Sequence, residues 1–136
     1  MPSYQQILTR LIDYIPLHPE HCQIISIDGL IVAGLIFANG VWKFPIEKWY
    51  EEDRLPALST AALSLGERIA HEIHDELYTS SLIHNEKGII YQLVLDDELV
   101  IYIVWSNGLT IPKLYQKWDE LQNFFVRLKQ ALKESE

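Results

Sequence analysis

The sequence predicts an α/β (α+β) domain built on a single five-stranded antiparallel sheet with helices on both faces, in the order α-β-β-α-β-β-β-α. Two observations carry that prediction. In QIISIDGLIVAGLI, Gln23 to Ile36, two apolar runs are joined by Asp28-Gly29, a strong hairpin signal because both residues tolerate positive φ. Later, three strand-like runs, Thr79–Asn85, Ile89–Leu95 and Leu99–Trp105, are separated only by Glu86-Lys87-Gly88 and Asp96-Asp97-Glu98, the spacing of a meander. Short hairpins inside each group favour antiparallel pairing, and the helical stretches around them must cover the sheet.

The first element opens on a capping box, Ser3 with Gln6, in which hydroxyl and amide each satisfy a free backbone N–H. Tyr4, Ile7, Leu8, Leu11, Ile12 and Ile15 form one helical stripe, ended by Pro16 and Pro19. After the hairpin, the run Leu30 to Ala38 has almost no polar face, so it is expected to be covered on both sides. Asn39 to Pro56 then reads as a long connection, apolar enough to pack, with Trp42, Phe44, Trp49 and Tyr50. The second helix starts between Asp53 and Pro56 and runs to Leu77. Leu58, Ala62, Leu65, Ile69, Ile73 and Leu77 fall on one side, and Gly66 among small neighbours permits a close approach. The last helix spans Ile111 to Lys133, with Leu114, Trp118, Leu121, Phe125, Leu128 and Leu132 in three- and four-residue steps.

At 136 residues the chain fits one domain, residues 1–136, with no repeat or low-complexity linker. Folding at this size hides roughly 68–70% of the unfolded chain's surface, enough for one core. The single cysteine, Cys22, makes no internal disulfide, and the Met-Pro-Ser-Tyr start lacks a basic, apolar leader, so a reducing cytoplasm is expected. No apolar run approaches the ~20 residues that span a bilayer, which argues against integral membrane insertion. A net charge of −8 argues against nucleic acid, whose affinity comes from lysines and arginines. Lys113, Lys117, Arg127, Lys129 and Lys133 read as a solvated face of the last helix.

Catalytic and cofactor patterns are weak, and no catalytic, metal or cofactor residue is assigned. His71-Glu72-Ile73-His74-Asp75 places two imidazoles and a carboxylate near one another, but zinc-protease chemistry needs histidines four apart. Ser80 and His84 share one strand face while Ser81 takes the other, and no nucleophile elbow is present. Cys22 lacks a basic neighbour except His21. The six glycines never assemble into a phosphate-cradling loop.

The strand-Asp-Gly-strand unit QIISIDGLIVAGLI, the small-residue-rich LSTAALSLGERI and the pair IIYQLVLDDELVIYIVW with its following helix resemble the roadblock family of dynein light-chain type. Most of the chain is covered; longin and profilin-like folds share much of the order. The resemblance implies a sheet in the order 2-1-5-4-3, with the second helix on one face and the first and third on the other. It also implies an edge at Tyr78–Glu86 that pairs, with the second helix, to a partner copy. The candidate homodimer contact is Ser64, Glu67, His71, His74, Tyr78, Ser80, Leu82 and His84. Histidines there make assembly pH-sensitive. The long Asn39–Pro56 connection departs from the family pattern and reads as a docking surface or a lid over the sheet, with Trp42, Phe44, Trp49, Tyr50 and Arg54 as the candidate docking residues. Arg54 reads as a solvated or capping residue, or as a charge donor to a partner's phosphate site. The function implied is a non-enzymatic regulator or scaffold for a small Ras-like GTPase or a motor-associated complex. The alternative is a small-ligand sensor or assembly chaperone.

Overall fold

The computed structural model describes residues 3–43, 54–74 and 80–135, with side chains from Thr60 onward in the middle stretch. Helix α1, Tyr4–Leu11, carries the expected capping box: Gln6 N–H donates to Ser3 Oγ at 3.1 Å, and Ser3 N–H to Gln6 Oε1 at 2.9 Å. The helix is shorter than its apolar stripe, tightening into a 3-10 turn over Ile12–Tyr14 before Pro16. Ile7, Leu8, Leu11, Ile12 and Ile15 are nevertheless all buried.

Strands β1, His21–Ser26, and β2, Ile31–Ala38, form the first hairpin. The connection is not the tight two-residue turn that Asp28-Gly29 predicts. Gly29 takes φ 86° while Asp28 keeps a negative φ, and Ser26 N–H bonds to Leu30 C=O at 2.8 Å around a loop of Ile27, Asp28 and Gly29. A register shift between Ile24 and Ile25 absorbs the extra length. Nor is β2 covered throughout: Ala33 and Leu35 are buried, but Leu30, Val32 and Phe37 are exposed.

Among the described residues the sheet has six strands, not five. The expected connection from Asn39 in fact opens with a second hairpin into β3, Val41–Lys43, paired with Ile36, Phe37 and Ala38. Its turn is Asn39-Gly40, with φ of 53° and 79°. Both values are positive, as a type I′ turn requires and Asn-Gly supplies best. The order is β3-β2-β1-β6-β5-β4, where β4 is Ser80–Asn85, β5 Gly88–Val94 and β6 Leu99–Trp105. It differs from the anticipated 2-1-5-4-3 by the strand added outside β2.

Helix α2, Arg54–His74, lies on one face. The last helix is two: α3, Ile111–Gln116, and α4, Trp118–Glu134, break at Lys117, whose φ of −111° and ψ of 17° leave the helical region. The periodicity runs on through the break, which is why sequence reads it as one helix. Lys113, Lys117, Arg127, Lys129 and Lys133 are exposed, with Arg127 over the Tyr14 ring at 4.5 Å.

The larger core packs Ile7, Leu8 and Leu11 of α1 and Leu121, Phe124, Phe125 and Leu128 of α4 onto Cys22, Ile24, Leu35, Tyr91, Ile101 and Ile103. Trp118 meets Tyr91 edge-on at 5.6 Å. On the other face a smaller cluster joins Leu63 of α2 to Ile25, Val100 and Tyr102. Central strand β6 is therefore buried from both sides.

Gly88 opens β5 at φ 149°, and a Cβ there meets Trp105 O at 1.8 Å. Gly88→Ala should lower unfolding free energy by at least about 2 kcal/mol, because neither backbone yields. Leu128→Ala, which empties a fully buried site, should cost about 2–5 kcal/mol in urea titrations.

Candidate protein interface

Helix α2 meets the sheet with its small side. Leu63 is 4% exposed, and Ala62, Gly66 and Ala70 are half-buried beside it. The stripe expected to face inward does not: Leu65, Ile69 and Ile73 are 59%, 52% and 68% exposed. At 3.6 residues per turn these three lie well round from Leu63. With Leu63 and small side chains turned to the sheet, the large apolar ones stand on a flank. Leu58 has no described side chain, and Asp53, Asp75 and Leu77 lie outside the described residues.

The surface beneath α2 explains part of this. Registered across five strands, Gly34, Gln23, Tyr102, Gln92 and Ser81 form one row. Gln23, Gln92 and Tyr102 are buried. The Tyr102 hydroxyl donates to Gln23 Oε1, and Ser81 Oγ to Gln92 Oε1 at 3.3 Å. Buried amides and hydroxyls need such partners, and the row forms only in one register. His21 stands beside it, its ring 5.4 Å from that of Tyr102. Desolvation pushes its pKa down to about 4, against a smaller opposing pull from Glu20. The only sequence signal for the row was a glutamine or tyrosine at one parity in otherwise apolar runs.

The predicted contact residues divide between two places. Ser64, Glu67, His71 and His74 are exposed on the flank of α2 away from the Leu65–Ile73 stripe. Ser80, Leu82 and His84 lie on β4, with Ser80 and Leu82 half-buried and His84 exposed. Tyr78 lies outside the described residues. Alternation puts Ser81 and Ile83 on the α2 side, and Ile83 is 46% exposed. Strand β4 ends the sheet, and among the described residues no strand pairs with its outer side.

Of the predicted docking loop, only Trp42 is described with its side chain; Phe44, Trp49 and Tyr50 lie outside the described residues, and Arg54 is described by its backbone alone. Trp42 is half-buried and meets Phe37 edge-on at 5.2 Å. Both line a groove of about 330 Å³ with Asp13, Pro16 and His18. Leu17 and His18 hold φ of 67° and 53°, an arrangement that costs energy outside glycine. Trp105 Nε1–H donates to Pro16 C=O at 3.1 Å, and Asn107 Nδ2 to Leu17 C=O at 3.3 Å, tying this loop to the end of β6.

Cys22 is fully buried, and burial pushes its thiol pKa upward. Among the described residues no group of three histidines, cysteines or carboxylates could hold a metal, and no helix is long and apolar enough to cross a membrane.

No protein-family model matches the sequence, and no curated protein matches it either. Solved structures do. Myxococcus xanthus MglB aligns over 96% of this chain and 95% of its own at 9% identity and TM-score 0.68. A roadblock/LC7 domain from Streptomyces avermitilis aligns over 96% and 98% at 13% identity and TM-score 0.67. A structure described as MglB with tetrameric arrangement aligns over 94% and 88% at 12% identity and TM-score 0.64. The fold of this chain is that of a roadblock-type domain.

His21 titrates lower folded than unfolded, so the unfolded chain binds the extra proton between about pH 6.5 and 4. Stability should therefore fall as pH drops through that window, by on the order of 2–3 kcal/mol from this group, and His21→Phe should flatten the loss in urea titrations. Cys22 should react with a thiol reagent only upon unfolding, followed by absorbance with and without denaturant.

Proposed function

We propose that this roadblock-fold chain is a non-enzymatic regulator or scaffold that works as a homodimer and binds a small Ras-like GTPase or a motor-associated complex. One observation carries the first half: Leu65, Ile69 and Ile73 stand exposed on α2, on the sheet face that also bears Ile83 of the edge strand β4, whose outer side pairs with no strand among the described residues. Single exposed apolar residues are ordinary, whereas a stripe of three on one helix marks a surface that gains by leaving water. Each Å² of apolar area hidden there contributes roughly 25 cal/mol. Strand β4 adds direction, because an unpaired edge offers main-chain hydrogen bonds to an incoming strand. Ser64, Glu67, His71, His74, Ser80, Leu82 and His84 then border the contact rather than form its apolar centre.

The GTPase half rests on the resemblance, since prokaryotic roadblock-type domains include activators of the GTPase that controls gliding polarity. An acidic surface and a buried, unreactive thiol agree with action by binding. Arg54 remains the residue to test as a charge donor. The cytoplasm is the proposed compartment.

A second reading has its own observation. The groove between Trp42, Phe37 and the strained Leu17-His18 loop is large enough for a small molecule, which favours a ligand-sensing role.

Light scattering should give twice the 15.8 kDa chain mass, and Ile69→Glu or Ile73→Glu should return the monomer with an unchanged circular dichroism spectrum, since the charge is buried only in the pair. A wild-type monomer at micromolar concentration would refute the dimer. Pull-down from native cytosol with GDP or a non-hydrolysable GTP analogue should retain a small GTPase in a nucleotide-dependent way. Metabolite-dependent quenching that disappears in Trp42→Phe, without a nucleotide-sensitive partner, favours the sensor instead.

A further inference from the structure

The sheet has a second border, and it is closed by a side chain. On β2, Phe37 N–H donates to Glu20 C=O on the β1 side, so alternate residues Ile36 and Gly34 turn their peptide groups outward. Strand β3 takes the outward positions of Ile36 and Ala38, and its described pairing stops at Lys43 opposite Ile36. The next outward residue along β2 is Gly34.

There the carboxamide of Gln5 reproduces what a neighbouring peptide group offers. Gly34 N–H donates to Gln5 Oε1 at 2.8 Å, and Gln5 Nε2 donates to Gly34 C=O at 3.0 Å. These are the two bonds that a residue in an adjacent antiparallel strand exchanges. Gln5 is held in place from both sides. Its helix starts on the Ser3–Gln6 capping box and is anchored by Ile7 and Leu8, both fully buried, while Thr9 Oγ1 accepts a further bond from Nε2 at 3.4 Å.

We propose that Gln5 is an edge plug: it closes β2 to strand addition, leaves β4 as the edge that accepts a strand, and so makes self-association stop at a pair. This rests on the homodimer proposed above. When two copies join through β4, the β2 and β3 borders become the two ends of the joined sheet. A sticky end there allows a contact between unlike edges, which does not close and leads to filaments.

The test uses the full chain. In the wild type, hydrogen exchange should show a protected Gly34 amide, and light scattering should show two chains from micromolar to submillimolar concentration. Gln5→Ala should speed exchange at Gly34 by about tenfold or more and produce species above two chains that grow with concentration. Gln5→Glu keeps an acceptor for Gly34 N–H and places a negative charge on the border, so it should stay at two chains. If Gln5→Ala does not fold, Gln5→Leu, which keeps the bulk and lacks both bonds, is read in the same way.

A folded Gln5→Ala or Gln5→Leu that stays at the wild-type mass overturns the plug, as does an unprotected Gly34 amide in the wild type. A monomeric wild type overturns the dimer alone. In that case growth of the Gln5→Ala species beyond the wild-type mass still supports the plug, and no growth overturns it.

Discussion

The contact between α2 and the sheet governs most of what is distinctive here. Strand β6 sits at the centre and must be covered on both faces. One face receives α1 and α4, whose leucines and phenylalanines build a deep apolar core. The other receives a helix offering Leu63 and small residues, over a row containing Gln23, Tyr102 and Gln92. A helix face made of one leucine and small residues buries little bulk. The large side chains of α2 are left on its flank, so the same packing that completes the domain creates its apolar outer surface.

The polar row also has a cost and a return. Buried amides are tolerated only where each finds a partner, and here partners come from adjacent strands in one registration. A one-residue slip would send Gln23 into the aliphatic core and Ile24 onto the polar side. His21, desolvated beside Tyr102, belongs to the same arrangement and resists protonation for the same reason.

The two borders of the sheet are managed differently. At β4 the outer side meets no described strand, and Ile83 on it is exposed. At the opposite border Gln5 takes the bonds of Gly34. An antiparallel sheet with both edges open invites indiscriminate pairing; one with a single open edge has a defined direction of association. The groove at Trp42 adds a third distinct feature, kept in shape by bonds from Trp105 and Asn107 to a loop whose backbone is strained.

Local chemistry in the sequence determined the capping box at Ser3, the meander from Ser80 to Trp105, the helical periodicities and the α+β class, because each depends on residues a few positions apart. The Asn39-Gly40 turn into β3 was equally legible and hidden only by the aromatic residues after it. Other features were not. Which side of α2 faces the sheet depends on how its residues pack on a row assembled from five strands. Whether Gln5 reaches Gly34 depends on where α1 lies across β2. Periodicity states which residues share a face, and only the packing of distant elements decides which face is turned inward.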